Sequence, residues 1–148
     1  MSVLDVSKNT KLMYFSCQKS RLAALDVSKN TLLRNLYCGN NQLTKLDVSQ
    51  NKQLSAVFCE NNQMEELNLG ETEQLRMLIC SNNLLKNLDV SRHAKLQNLF
   101  CNQNNLTNLD ISSNTELLEL LCGGNELSDL DISNNTMLIR ISCENKNC

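Results

Sequence analysis

The sequence predicts a mainly β solenoid of seven stacked 21-residue coils, with little or no helix. Three observations predict it. The 148 residues equal seven times 21 plus one. Leu4, Leu25, Leu46, Leu67, Leu88, Leu109 and Leu130 form one column at that interval, and Cys17, Cys38, Cys59, Cys80, Cys101, Cys122 and Cys143 form another, with no insertion in either. Within each unit, apolar residues alternate over short stretches, as in a strand with every second residue inward. A single domain over 1–148 follows, its coils starting at 4, 25, 46, 67, 88, 109 and 130.

One unit reads Leu25-Asp26-Val27-Ser28-Lys29-Asn30-Thr31, then Leu33, Leu36, Cys38, Asn41 and Leu43. The pattern LxxLxCxxNxL resembles that of leucine-rich repeats. The 21-residue length and the LDVSxNT segment resemble a bacterial subclass sometimes called IRREKO-type. The resemblance covers all seven units and implies a leucine-rich-repeat solenoid.

A second regularity divides each coil. Leu33, Leu36, Cys38 and Asn41 are followed ten residues later by Leu43, Leu46, Val48 and Asn51 in the same spacing. Each coil is thus two similar half-turns, and both can run as strands about 4.8 Å from their neighbours. This predicts a nearly straight, two-sided solenoid with two parallel sheets, roughly 30 to 35 Å long. The columns of Leu25, Val27, Leu33, Leu36, Cys38 and Leu43 point inward and are buried by stacking. Asn takes the turn positions, at Asn41, Asn62, Asn83, Asn104 and Asn125 on one edge and Asn9, Asn30, Asn51, Asn114 and Asn135 on the other. Its amide offers both donor and acceptor to buried turn peptides and tolerates the left-handed conformation.

Charge and composition exclude several functions. Fourteen basic against 16 acidic residues give a net charge of −2, which provides no field for a nucleic-acid backbone. No apolar run approaches the roughly 18 to 20 residues of a membrane span, so membrane insertion is not expected. No leader of basic then apolar residues opens the chain. A column of free thiols suits a reducing compartment, so the sequence as given leans cytoplasmic; a segment of a larger protein would belong at the cell surface or outside.

Three constellations resemble chemistry. The cysteines lack ligand-type clustering, and at about 5 Å between neighbours they read as buried small hydrophobes rather than disulfides or metal ligands. Asp5, Asp26, Asp47, Asp89, Asp110 and Asp131 form an acidic column, broken by Asn68. Local bonding to the Ser column and backbone N–H groups accounts for it; calcium would ask for six to eight oxygens where each coil brings one Asp. His93, the single histidine, occupies an Asn turn position with no nucleophile beside it by any motif. It reads as an Asn substitute or an exposed turn residue. No cofactor and no catalytic residue are expected.

Function is legible on the outward face. On the LDVS side the outward residues are polar, including Lys45, Glu66, Asn87, Asn108 and Asp129. On the Cys side, the column before each Cys reads Ser16, Tyr37, Phe58, Ile79, Phe100, Leu121 and Ser142. Its neighbour reads Tyr14, Asn35, Ala56, Met77, Asn98, Glu119 and Arg140, while Phe15 points in. Five large apolar residues in line make a ribbon about 19 Å long at strand spacing. Such a stripe marks an interaction surface, although stacking between strands explains part of it. The resemblance to leucine-rich repeats implies the same surface, because there the strand face is the binding face. The expected protein-binding residues are Tyr14, Tyr37, Phe58, Met77, Ile79, Phe100, Leu121 and Arg140, with Arg34, Arg76, Glu60, Glu119 and Glu144 tuning selectivity.

Two further regions stand out. Gly70-Glu71-Thr72-Glu73 and Ser91-Arg92-His93-Ala94 depart from LDVSxNT on one edge, as drift at a tolerant turn or a small local site. At the ends, Met1 and Cys148 fall in the Leu43 column, and Ser20 and Lys146 replace Asn in the first and last turns. With Ser16 and Ser142 closing the ribbon, this tapering reads as a complete small protein; a fragment, or end-to-end self-association through open coil faces, is the rival. The sequence therefore predicts a non-enzymatic protein-binding scaffold. Its alternative is a structural spacer or self-associating segment of a larger bacterial surface or secreted protein.

Overall fold

The computed structural model describes residues 4–144. The expectations for Met1, Lys146 and Cys148 lie outside these described residues. Among the described residues there are nine three-residue strands and no helix. They are β1 (Tyr14–Ser16), β2 (Asn35–Tyr37), β3 (Lys45–Asp47), β4 (Ala56–Phe58), β5 (Glu66–Asn68), β6 (Met77–Ile79), β7 (Asn98–Phe100), β8 (Glu119–Leu121) and β9 (Arg140–Ser142).

Seven of them form one parallel sheet, in the order β1-β2-β4-β6-β7-β8-β9. Every neighbour is paired with an offset of 21, as in Leu36↔Val57, Leu78↔Leu99 and Leu120↔Ile141. The register continues past each strand: the N–H groups of Cys38, Cys59, Cys80 and Cys101 donate at 2.8 Å to the carbonyls of Phe58, Ile79, Phe100 and Leu121. Alternation places Leu36, Val57, Leu78, Leu99 and Leu120 in the core, fully buried.

The second side is shorter than expected. Among the described residues only β3 and β5 pair there, through Leu46↔Leu67 and Asp47↔Asn68. Asp26 and Asp110 feel the repulsion of Asp neighbours one coil away. Between β3 and β5 that repulsion is replaced by a hydrogen bond, Asn68 Nδ2 to Asp47 Oδ2 at 3.2 Å. The Leu25 column is also less enclosed than its inward position suggests: Leu46, Leu88 and Leu109 are buried, but Leu4, Leu25, Leu67 and Leu130 are only partly so.

Both asparagine ladders are present, and they work differently. Asn83 Nδ2 donates to the carbonyls of Cys59 and Cys80 at 3.1 and 3.0 Å, while its Oδ1 accepts the N–H of Met64. Asn62 and Asn104 repeat this plan. On the other edge, Asn51 Nδ2 donates to Val27 and Asn30, and Asn114 Nδ2 to Val90 and His93. There the Oδ1 atoms of Asn30, Asn51, Asn114 and Asn135 are buried with no hydrogen-bond partner.

The left-handed turn residue is the one before the ladder Asn, which corrects the sequence expectation. Asn40, Asn61 and Asn82 have φ of 58°, 55° and 55°, with Gln103 and Gly124 in the same column. The ladder residue itself is reserved for side-chain bonding across coils. In the first coil, where Ser20 stands in that place, Lys19 and Arg21 on both sides are left-handed.

Candidate recognition face

The register of the large sheet puts Tyr37, Phe58, Ile79, Phe100 and Leu121 side by side on its outer surface. Asn35, Ala56, Met77, Asn98, Glu119 and Arg140 lie in the adjoining row. All eight residues expected at the interface therefore sit on one sheet face. The opposite side carries exposed Lys45, Glu66, Asn87, Asn108 and Asp129.

The ribbon is less exposed than a free stripe, because its members cover one another. Tyr37 and Phe58 stack with ring centroids 4.5 Å apart and planes 13° from parallel. Tyr14 leans on Tyr37 at 5.0 Å and 37°, and its other side is open, leaving it 60% exposed. Tyr37, Phe58, Ile79, Phe100 and Leu121 are each half-buried. Cross-strand stacking of this kind stabilises the sheet and fixes the rotamers it orders.

The margins are charged with opposite signs. Arg34 and Arg76 are exposed just before β2 and β6, and no carboxylate pairs with either among the described residues. Beyond the ends of β4 and β9 lie Glu60 and Glu144. The Glu60 carboxylate folds into the notch that Gly39 leaves, since a Cβ at Gly39 would collide with it, and its Oε2 is buried without a hydrogen-bond partner. Arg140 is held in place by Glu119 one coil back, at 3.4 Å.

The other constellations have structural explanations. The Asp column caps its own turns: Asp5, Asp26, Asp47, Asp89, Asp110 and Asp131 each accept the N–H of the Ser two residues on, at 2.8–3.0 Å. Those bonds hold the carboxyls below their ordinary pKa. The cysteine column lies in the core, apart from half-buried Cys143. Burial pushes the Cys17 thiol up to about 11 and that of Cys80 up to about 12, so both are protonated and poor nucleophiles at neutral pH.

His93 is not an exposed turn residue. It is buried in the ladder position and bonded through Nε2 to the Thr72 hydroxyl at 2.9 Å. Above it, Arg92 and Glu71 form an exposed ion pair at 3.5 Å. The sequence reading singled out His93 but missed its partner; the signal was present, because residues 72 and 93 occupy one column. It also missed the exposed apolar side chains of the last coil, Ile132, Met137, Ile139 and Ile141.

A parallel β-solenoid with 21-residue coils, an inward leucine and cysteine core and asparagine-laddered turns is the leucine-rich-repeat fold, and this chain has it. Among solved structures it is similar to the functional domain of InlJ from Listeria monocytogenes, described as including a cysteine ladder, at 39% identity and a TM-score of 0.93. The match covers 95% of this chain and 32% of that one. The internalin InlF of Listeria monocytogenes (TM-score 0.82, 97% of this chain, 46% of that one) and the leucine-rich repeat domain of APL1B (0.75, 95% and 44%) share the fold at 20% identity. The chain thus spans less than half the length of each of these structures. No protein-family model and no curated protein sequence matches it. Solenoids of this class are scaffolds for protein interaction. No helix among the described residues is long and apolar enough to cross a membrane.

Proposed function

We propose that the chain is a non-enzymatic protein-binding scaffold that engages its partner with the outer face of the seven-stranded sheet. The observation that carries this reading is the asymmetry between two sides built on one sequence plan. One outer surface is polar from Lys45 to Asp129, and the other aligns five large apolar residues in register. Tyr37, Phe58, Ile79, Phe100 and Leu121 would form the desolvated centre, with Tyr14, Met77 and Arg140 beside them. Stacking orders Tyr14, Tyr37 and Phe58 beforehand, which lowers the ordering cost of association. Affinity capture with wild type, Phe58→Ser/Phe100→Ser and the opposite-face control Asn87→Ala/Asn108→Ala tests it. A protein retained by wild type and the control but lost by the ribbon variant supports the reading; equal retention by all three refutes it.

A second reading, a structural spacer or self-associating segment, is favoured by the last described coil. Its outward side chains Ile139 and Met137 are 79% and 51% exposed. It predicts that Met137→Lys/Ile139→Lys lowers the oligomeric state measured by light scattering. An unchanged mass would count against it.

A further inference from the structure

We infer that the ribbon's occupant is an amphipathic helix of about four turns lying along the stacking axis, with acidic residues on one flank. The inference rests on the reading of this face as a recognition surface and names the shape and charge of what it recognises.

The first argument is hydrogen bonding. A sheet face presents side chains, because the strand N–H and C=O groups are paired along the axis with the coils above and below. An extended segment pressed onto that face would bury peptide groups with few partners. A helix satisfies its own.

The second argument is pitch. Ribbon residues recur about every 4.8 Å, and a helix brings one residue per turn to a given face about every 5.4 Å. Aligned at the middle of the ribbon, the two rows slip by only about 1 Å at either end. Along an extended chain, same-side residues recur about every 6.8 Å and fall a full knob out of step within three positions. The stacked rings point the same way. Tyr37 and Phe58 use their faces on each other and turn their edges outward, so the ribbon offers ridges to pack between rather than a ring face for a sugar or base.

The third argument is charge. Arg34 and Arg76 stand two coils apart on one margin, about 9.6 Å, close to the 10.5 Å or so between residues i and i+7 of a helix. Neither is paired with a carboxylate among the described residues. A helix with acidic residues at i and i+7 beside its apolar stripe meets both arginines.

The test uses two displayed 16-residue libraries selected on the full chain, one held helical on a coiled-coil scaffold and one kept extended by flanking prolines. The expected result is enrichment from the helical library of sequences with an apolar i, i+4, i+7, i+11 stripe and acidic flanks. Their affinity should fall about tenfold on Arg34→Glu/Arg76→Glu and recover when the flank is changed to Lys. Binders drawn only from the extended library, or helical binders indifferent to both arginines, would overturn the inference. Because capture of a native partner is scored separately on Phe58→Ser/Phe100→Ser, a partner lost by that variant alongside failed helix selection rejects the helix and leaves the recognition face standing.

Discussion

The His93 imidazole and the Thr72 hydroxyl, 21 residues apart, meet at 2.9 Å inside the turn edge where neighbouring coils carry asparagine. Both side chains are buried, and His93 Nδ1 has no hydrogen-bond partner among the described residues. Two coils of the ladder thus lack the amide that ties one turn to the next.

This pair makes stability depend on pH. Burial holds the His93 pKa below its ordinary value, against the opposing effects of the Val90 backbone and the Asp89 charge. A depressed folded pKa means that the unfolded chain binds the proton more readily. The contribution of neutral His93 is fully present above about pH 6.5 and is lost as pH falls toward the folded value. Urea midpoints should therefore drop between pH 7.5 and pH 5.5. In His93→Asn that drop should vanish and stability should rise by about 1 kcal/mol, as Asn restores bonds to the preceding turn. The same pH dependence in wild type and variant would refute the assignment.

The two asparagine ladders should differ in strength. Asn83→Ala strands the Met64 N–H and removes one of two donors from each of the Cys59 and Cys80 carbonyls, whereas Asn51→Ala removes one of two donors from the Val27 and Asn30 carbonyls and strands no N–H. Carbonyls tolerate loss better than buried N–H groups. We expect about 3 kcal/mol for Asn83→Ala and about 2 kcal/mol for Asn51→Ala by chemical denaturation. The reverse order would show that the ladders are not carrying the bonds described.

Alkylation should follow burial rather than sequence. Cys38, Cys59, Cys80 and Cys101 are fully buried and their pKa values are raised by burial, while Cys143 is half-buried. Peptide mapping after brief iodoacetamide treatment at pH 8 should find Cys143 modified and those four intact. Rapid modification of Cys59 would mean that the core opens far more readily than its packing indicates.

Backbone conformation offers a third contrast. Gly70 has φ of +58°, and a Cβ there would sit 2.6 Å from that of Ser49, so Gly70→Ala should destabilise by at least 1 to 2 kcal/mol. Asn82, also left-handed, pays for its Cβ in strain, and Asn82→Gly should be neutral or stabilising by up to about 1 kcal/mol. Thermal melts of the two variants moving in the same direction would contradict this.

Much of this architecture is legible in a column alignment of the chain with itself. Leu36, Cys38 and Asn41 announce strand, core and turn because an offset of 21 repeats one environment seven times. The ribbon is legible for the same reason, since alternation fixes which side Phe58 and Ile79 take. Features that depend on contact between columns were harder to read. The left-handed residue is Asn82 rather than Asn83, and both are asparagine, so composition could not separate them. The second sheet pairs β3 with β5 alone among the described residues, and the Asn68–Asp47 bond across that pair is a local feature that a repeat average hides. How far Tyr37 and Phe58 shield each other depends on ring tilt, which no spacing encodes.

The most direct test of the recognition face is photo-crosslinking from single positions. Benzoylphenylalanine placed at Ile79 or Phe100, in the ribbon, should yield a covalent adduct with the captured partner, whereas the same group at Asn108, exposed on the opposite side, should not. Adducts confined to the two ribbon positions are the predicted result. Adducts from position 108 alone, or equally from all three, would contradict the claim that this protein reads its partner with the sheet face.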